Sequence, residues 1–266
     1  MNSSDLADQK PKCILGLAAG IVQNEFKASW FIMQNIKIDT KTSSMISKLS
    51  LALSLSAGLA AVVFANPAQA EWEFSFYSGV NTSPHSVVDY NFNLGAGNQS
   101  TTVKWDGEAF VMPPYFGLRA TWWLDSYPGW GIAFDNSHSK VAANPLPAGF
   151  EKLEFTDGIN IYTMNLQYRF KNTSRFTPYV GIGAGFTTPH VEVVNSPQTS
   201  VTNEYQFGGP AVLGLIGVST EINKNWSVFT EFKSAYVMID ADLPNGGSLS
   251  TNIISNQFIV GVSYKF

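Results

Sequence analysis

Three histidines occur in the chain, at positions 85, 138 and 190, and two of them directly follow a proline at the end of a strand-like stretch: SPHS at 83–86 and TPHVE at 188–192. Two or three imidazoles with one or two carboxylates make a divalent-metal shell, including the two-histidine, one-carboxylate set that leaves coordination positions open for oxygen. Asp135, Asp157, Glu192, Asp240 and Asp242 are the carboxylates that a fold would have to bring near them. The plainer alternative is that these histidines are polar residues placed where strands stop. Deciding between the two requires the elements that position them.

The chain has 266 residues, with 14% aromatic and 14% charged side chains and a single cysteine, Cys13. From Met45 a lysine, an apolar and small-residue run over 49–64 and the A-x-A of 68–70 read as the three regions of a secretory signal peptide, placing the mature start at Glu71. Residues 1–44 read as a leader or an over-extended start without a fold. A transmembrane anchor is the alternative for 45–70, but the run ends in Asn66-Pro67 and not in a basic stop-transfer cluster. Of 16 basic and 20 acidic residues, 6 and 4 precede residue 71, leaving 10 against 16 and a mature net charge of −6. No basic stripe remains for nucleic acid. An exported chain whose mature part lacks cysteine must be held together by something other than disulfides.

Alternation supplies that something. Trp72, Phe74 and Phe76 interleave with Glu73, Ser75 and Tyr77, and Phe258, Val260, Val262, Tyr264 and Phe266 with Gln257, Gly261, Ser263 and Lys265. A period of two makes strands with one apolar and one polar face. The polar face carries Arg119, Arg169, Glu231 and Lys233 and the apolar face is rich in aromatics, which suits a polar lumen and a lipid-facing wall. Short connections at 125–129, 171–175 and 222–225 alternate with longer ones at 85–103, 142–152, 193–202 and 240–250. They predict eight strands: 72–84, 113–124, 130–141, 153–170, 176–191, 203–221, 226–239 and 251–266. Trp72, Trp122, Trp123, Trp130 and Trp226 fall at the short-turn ends, as an aromatic girdle would. The fold expected for 71–266 is therefore all-β: an eight-stranded antiparallel transmembrane barrel of the bacterial outer membrane, a monomer, with an exported β-sandwich as the alternative.

With the short turns on the periplasmic side, His85, His138 and His190 all fall toward the outer ends of outward-running strands. Their shared height does not make them meet. Parity points His85 into the lumen and leaves His190 and Glu192 outside, unless Pro84 and Pro189 mark bulges that change the phase. Gly181, Gly183 and Gly185 precede no helix and read as room for larger side chains opposite, not as a phosphate loop. Glu231 and Lys233 read as part of a lumen salt-bridge network, and Pro113-Pro114 as a break between an extracellular arm and the membrane part of the second strand.

The stretches SPHSVV (83–88), KWDGEAF and MPPYFGLRATWW (104–123), HSKV (138–141), LEFTDGIN (153–160), TPYVGIGAGF with PHVEV (177–193), EYQFGGPAV (204–212), NWSVFTEFK (225–233) and GGSLSTNIISN (246–256) resemble the rhizobial lipid A oxidase family of outer-membrane barrels. That resemblance implies oxidation of the proximal glucosamine of 1-dephosphorylated lipid A to 2-aminogluconate, with O2 as acceptor. Such chemistry needs an electron acceptor that ordinary side chains do not supply, and no dinucleotide or flavin fingerprint is present. A divalent metal is then the expected cofactor, with His85, His138, His190 and Asp135 as ligands and Glu192 as a further candidate. Asp157 and Glu192 are the expected catalytic carboxylates, Asp157 as base toward the anomeric hydroxyl. The alternatives are a non-catalytic small barrel of adhesion or membrane-integrity type, or a narrow channel, which eight strands disfavour because side chains fill so small a lumen.

Overall fold

The computed structural model describes residues 71–266, so the expected leader, the signal peptide and Cys13 lie outside the described residues. Among the described residues the strands are β1 Glu71–Asn91, β2 Gln99–Gly107, β3 Phe116–Trp123, β4 Trp130–His138, β5 Val141–Ala143, β6 Phe150–Phe155, β7 Ile161–Arg169, β8 Phe176–Thr187, β9 His190–Asn195, β10 Val201–Tyr205, β11 Gly209–Glu221, β12 Trp226–Leu243 and β13 Gly247–Lys265. All pair antiparallel in one sheet, and β1 meets β3 from Glu71↔Trp123 to Ser78↔Phe116 to close it. The result is the expected eight-stranded barrel. Its first, seventh and eighth staves are the unbroken β1, β12 and β13. The other five are each interrupted at one level, as β2/β3, β4/β5, β6/β7, β8/β9 and β10/β11.

The interruptions divide the barrel into two stacked parts. In the lower part β1, β3, β4, β7, β8, β11, β12 and β13 form the closed ladder. In the upper part β1, β2, β5, β6, β9 and β10 continue it on one side and β12 and β13 on the other. The seam beside β10 is closed by the Gln206 amide acting as a peptide group: its Nε2 donates to the Asp242 carbonyl (2.9 Å) and its Oε1 accepts from the Asp242 N–H (2.7 Å). The Asp240 N–H adds a bond to the Gly208 carbonyl at 3.0 Å.

Of the four long outer connections expected from sequence, 85–103 and 240–250 are thus mostly strand and 142–152 and 193–202 about half strand. β1 runs on to Asn91 and β12 to Leu243, and the true tips are short, such as the single 3-10 turn Pro244–Gly246. Periodicity persists in these segments with its sense reversed. On β12 the inward series runs from Glu231 and Lys233 to Val237, Ile239, Ala241 and Leu243, while the outward series runs from Phe232 and Tyr236 to Asp240 and Asp242. The upper part therefore has a soluble-protein interior, including Val88, Tyr90, Trp105, Phe155, Val191, Val193 and Ile253. The lower part has apolar residues facing outward, with Phe74, Phe76, Ile182, Ile216, Phe258 and Val260 exposed on the wall.

At the short-turn end Trp72 stacks on Trp122 (6.0 Å), and Trp226, Tyr264 and Phe266 follow edge to face. Trp123 leaves this girdle: one position out of phase, it turns inward and lies 4.2 Å beneath the Arg169 guanidinium.

Candidate functional site

The lower lumen is filled by charge. Arg119 forks onto both Glu231 oxygens at 2.7 Å each and donates through Nε to Asp135 (2.6 Å). Lys233 donates to the other Asp135 oxygen (2.8 Å), which also accepts from the Tyr77 hydroxyl, and Tyr179 donates to Glu231. All four charged groups are buried. Two cations thus face two anions with nearly every oxygen occupied, the condition under which buried ion pairs are tolerated. Gly117 and Gly217 allow this crowding, since a Cβ would lie 2.0 Å from the Tyr77 ring at the first and 2.5 Å from the Tyr179 ring at the second. Below the network a cavity of about 580 Å3 opens among the short turns. It lies at the opposite end from the histidines, and its wall pairs Arg169 with Glu71 and Lys265 with Glu221.

The network absorbs Asp135, one of the expected metal ligands. Asp135 and His138 are three positions apart on β4, so they face opposite sides of the wall. His85 is also left out. It sits in the register shift between Thr82 and Val88, where the inward positions pass from odd (Ser75, Tyr77) to even (Val88, Tyr90), and it is exposed there instead of pointing into the lumen. Pro84 does mark a bulge. Pro189 marks a break between β8 and β9 that keeps the phase, so Val191 and Val193 point in and His190 and Glu192 lie on the outer face, as parity expects.

What joins His138 to His190 is the turn Asp157-Gly158-Ile159-Asn160 between β6 and β7, of which the sequence points only to Asp157, as a candidate base. Gly158 (φ 83°) and Asn160 (φ 51°) both take the left-handed conformation that suits Gly and Asn. The turn's backbone is tied to both neighbours: the Ile159 N–H to the Ser139 carbonyl (2.8 Å), the His190 N–H to the Gly158 carbonyl (3.0 Å) and the Thr188 N–H to the Asn160 carbonyl (3.0 Å). The Asn160 Nδ2 points among the carbonyls of Asp157, Gly158 and Thr188, which leaves its Oδ1 as acceptor toward His138 Nδ1 at 2.9 Å. His138 therefore donates through Nδ1, and its Nε2 is a buried atom with no hydrogen-bond partner. Phe116 stacks on the same ring at 5.2 Å.

On the other side of the turn His190 Nδ1 lies 3.8 Å from the Asp157 carboxylate, with Tyr205 edge-on to the imidazole at 4.6 Å. Burial and the Asp157 charge beside it push the Tyr205 phenol up. Next to this group Glu192 accepts from Lys152 (2.7 Å), and the Thr156 hydroxyl lies against both Glu154 and Glu192. Burial would raise the Glu192 carboxyl, but the Lys152 and Thr156 hydrogen bonds outweigh it and hold it below the ordinary carboxylate range. Directly adjoining on the wall, Tyr162, Phe186 and Phe207 stack in a row at 5.3 and 5.8 Å. A polar cluster with His190 beside Asp157 therefore sits on the outer face of the barrel, beside aromatic residues of the lipid-facing wall.

A family model described as outer membrane protein beta-barrel domain matches residues 55–266. The chain belongs to this family. Its place is accordingly the outer membrane, with the lower part as the membrane-spanning wall. No curated protein matches the chain. Among solved structures it is similar to Neisserial surface protein A, at 14% identity over 75% of this chain and all of that one, with a TM-score of 0.40. It is also similar to AlkL determined in lipid bilayers (16% identity, 76% of this chain, 92% of that one, TM-score 0.41). The outer membrane protease OmpT from Escherichia coli matches at 9% identity over 76% of this chain and 98% of that one, with a TM-score of 0.39.

The expected metal shell does not fit this arrangement. Among the described residues no group of three or more His, Cys, Asp or Glu side chains is placed to hold a metal ion. His138 Nε2 is unpartnered, but Asp135 faces the lumen and His85 stands in a bulge. What the structure gathers is Asp157 with His190 and Tyr205, the His190 Nδ1 lying 3.8 Å from the carboxylate, beyond hydrogen-bond distance.

Proposed function

We propose that the protein oxidises the proximal glucosamine of 1-dephosphorylated lipid A to 2-aminogluconate, using O2. One observation carries the reading: the Asp157, His190 and Tyr205 cluster faces outward, beside the lipid-contacting wall, where the sugar of an outer-leaflet lipid would lie. The sequence stretches that resemble lipid A oxidases support it, since LEFTDGIN and PHVEV contain the turn and the histidine of this cluster.

In the reaction the lactol loses its C1 hydrogen and its hydroxyl proton, O2 takes the two electrons and two protons to become hydrogen peroxide, and water opens the lactone to the acid. Asp157, whose side chain is 37% exposed against 12% for His190, is the group that meets the sugar hydroxyl and accepts its proton. His190 behind it stabilises the carboxylate and takes up the proton in turn; a positioned base of this kind contributes on the order of 10²–10⁴-fold. Since the candidate metal ligands stand apart, the chemistry assigned to the chain's own residues is confined to proton transfer. Glu192 and Lys152 form the polar wall beside them.

That same separation favours a second reading, a non-catalytic barrel of adhesion or membrane-integrity type. Lipid A mass spectra from aerated cells able to remove the 1-phosphate distinguish the two. Oxidation requires a gain of one oxygen atom in cells carrying the gene and its loss with Asp157→Asn. No gain in any strain refutes the enzyme, and a full gain with His190→Ala removes that residue from the mechanism.

A further inference from the structure

The segment between β2 and β3 presents three large apolar side chains in a row to the outside: Phe110, Val111 and Met112 are 81%, 51% and 78% exposed. Its backbone is firmly built in. Ala109 and Tyr115 on either side are buried, and the Tyr115 N–H bonds the Ala109 carbonyl at 2.7 Å, which closes the loop at its base. From inside the wall Lys140, 1% exposed, donates to the Met112 carbonyl at 3.1 Å, and the Glu108 N–H reaches the Lys140 carbonyl. The Ser78 hydroxyl holds the Tyr115 carbonyl at 2.8 Å. These ties fix the level of the loop at Ser78 to Asn81 on β1 and His138 to Lys140 on β4 and its extension, where the lipid-facing wall ends at Val80 and Phe116.

We propose that Phe110, Val111 and Met112 form a wedge embedded in the outer leaflet, anchoring the barrel at the boundary between its membrane-spanning and upper parts. The occupant follows from continuity: the loop emerges where the apolar wall meets the upper part, whose outer face turns polar, and large apolar side chains held at that height enter the acyl region. The buried Lys140 ammonium belongs to the device, since it holds the backbone carbonyl inward and leaves the side chains no inward alternative. The wedge depends on the barrel and its location alone, and stands whether or not the protein is an oxidase.

The test places a nitroxide label at Phe110→Cys or Met112→Cys, in a Cys13→Ser background, in protein reconstituted in dimyristoylphosphatidylcholine vesicles. Collision with oxygen is compared with collision with a water-soluble nickel chelate. Leu94→Cys in the outermost β1 to β2 loop is the aqueous reference and Phe258→Cys on the wall is the lipid reference. Both loop positions are expected to show an oxygen-to-nickel ratio several-fold above Leu94 and close to Phe258. A ratio matching Leu94 overturns the wedge. So does protection from both reagents, which would mean that protein, either this chain or a second copy, covers the loop.

Discussion

The lower and upper parts of the barrel are built from the same staves, yet they solve opposite problems. β13 shows it within one strand: the outward residues Phe258, Val260 and Val262 meet lipid, while Ser248, Ser250 and Asn252 on the same face meet water. Inward, Ser263 and Gln257 give way to Ile253 and Leu249. β12 pairs with the whole strand without a shift and β1 with one bulge between Thr82 and Val88, so the ladder carries on across the exchange. What differs is the source of stability. The lower part fills its lumen with buried charges that must stay paired, and the upper part buries apolar area.

The largest difference should appear when each interior is damaged in its own way. Lys233→Met leaves Asp135 buried with only Arg119 and Tyr77, and removal of one partner from such a network costs about 3–5 kcal/mol. Urea unfolding in lipid vesicles should show it, with much of the loss recovered when Asp135→Leu is added. Ile253→Ala removes bulk from the upper core, at roughly 2–5 kcal/mol for a fully buried site. Limited proteolysis should then cut the upper part while the lower part stays protected; equal loss in both would deny that they are separable.

A third comparison uses one face of one strand. Val260→Arg puts a charge against lipid and should cost on the order of 2–4 kcal/mol if it lies near the midplane, whereas Asn252→Arg, eight positions away on the same face, should cost close to nothing. Comparable costs at both positions would erase the boundary drawn between them.

The smallest effect concerns pH. Glu192 has its carboxyl lowered on folding, so its stabilising contribution is present above the ordinary carboxylate value and is lost as pH falls through the lower folded value. Lys152 has its ammonium raised, chiefly by Glu192, so its contribution is present below the ordinary lysine value and is lost as pH rises through the higher folded one. Between these limits the pair is intact. It is partly exposed, and its worth is about 1 kcal/mol or less. Glu192→Gln should flatten the acid limb of the upper part's stability without moving the lower part.

These contrasts also explain what was legible in the sequence. Period-two alternation and the short turns at 125–129, 171–175 and 222–225 gave the eight staves, because aromatic residues repeat on the lipid-facing side of the lower part. The upper part was legible only in part: 153–155, 190–191 and 203–205 fall in expected strands, whereas β2 and the outer ends of β1, β12 and β13, with small polar residues such as Ser248 and Ser250 outside, resembled loops. Parity placed His190 and Glu192 correctly and His85 incorrectly, since the bulge at Pro84 changes phase and the break at Pro189 does not. Proline alone does not say which. The turn 157–160 carried a readable signal in Asp-Gly followed by Asn, residues that adopt left-handed turns. Tyr205, Lys152 and Thr156 carried none, because only strand pairing across β6, β9 and β10 brings them to the site. Asp135 was drawn to the histidines by sequence proximity, and its place in the lumen follows from its position on the opposite face.

The central proposal, that the protein oxidises a lipid sugar with O2 and that Asp157 of the outward cluster takes the hydroxyl proton, is tested most directly with purified protein in detergent micelles containing 1-dephosphorylated lipid A. Mass spectra are compared in air and under argon, for the wild type and for Asp157→Asn. The account requires a gain of one oxygen atom, in air only, that the substitution abolishes while the barrel remains folded. A product of unchanged mass in air, or an undiminished gain with Asp157→Asn, would contradict it.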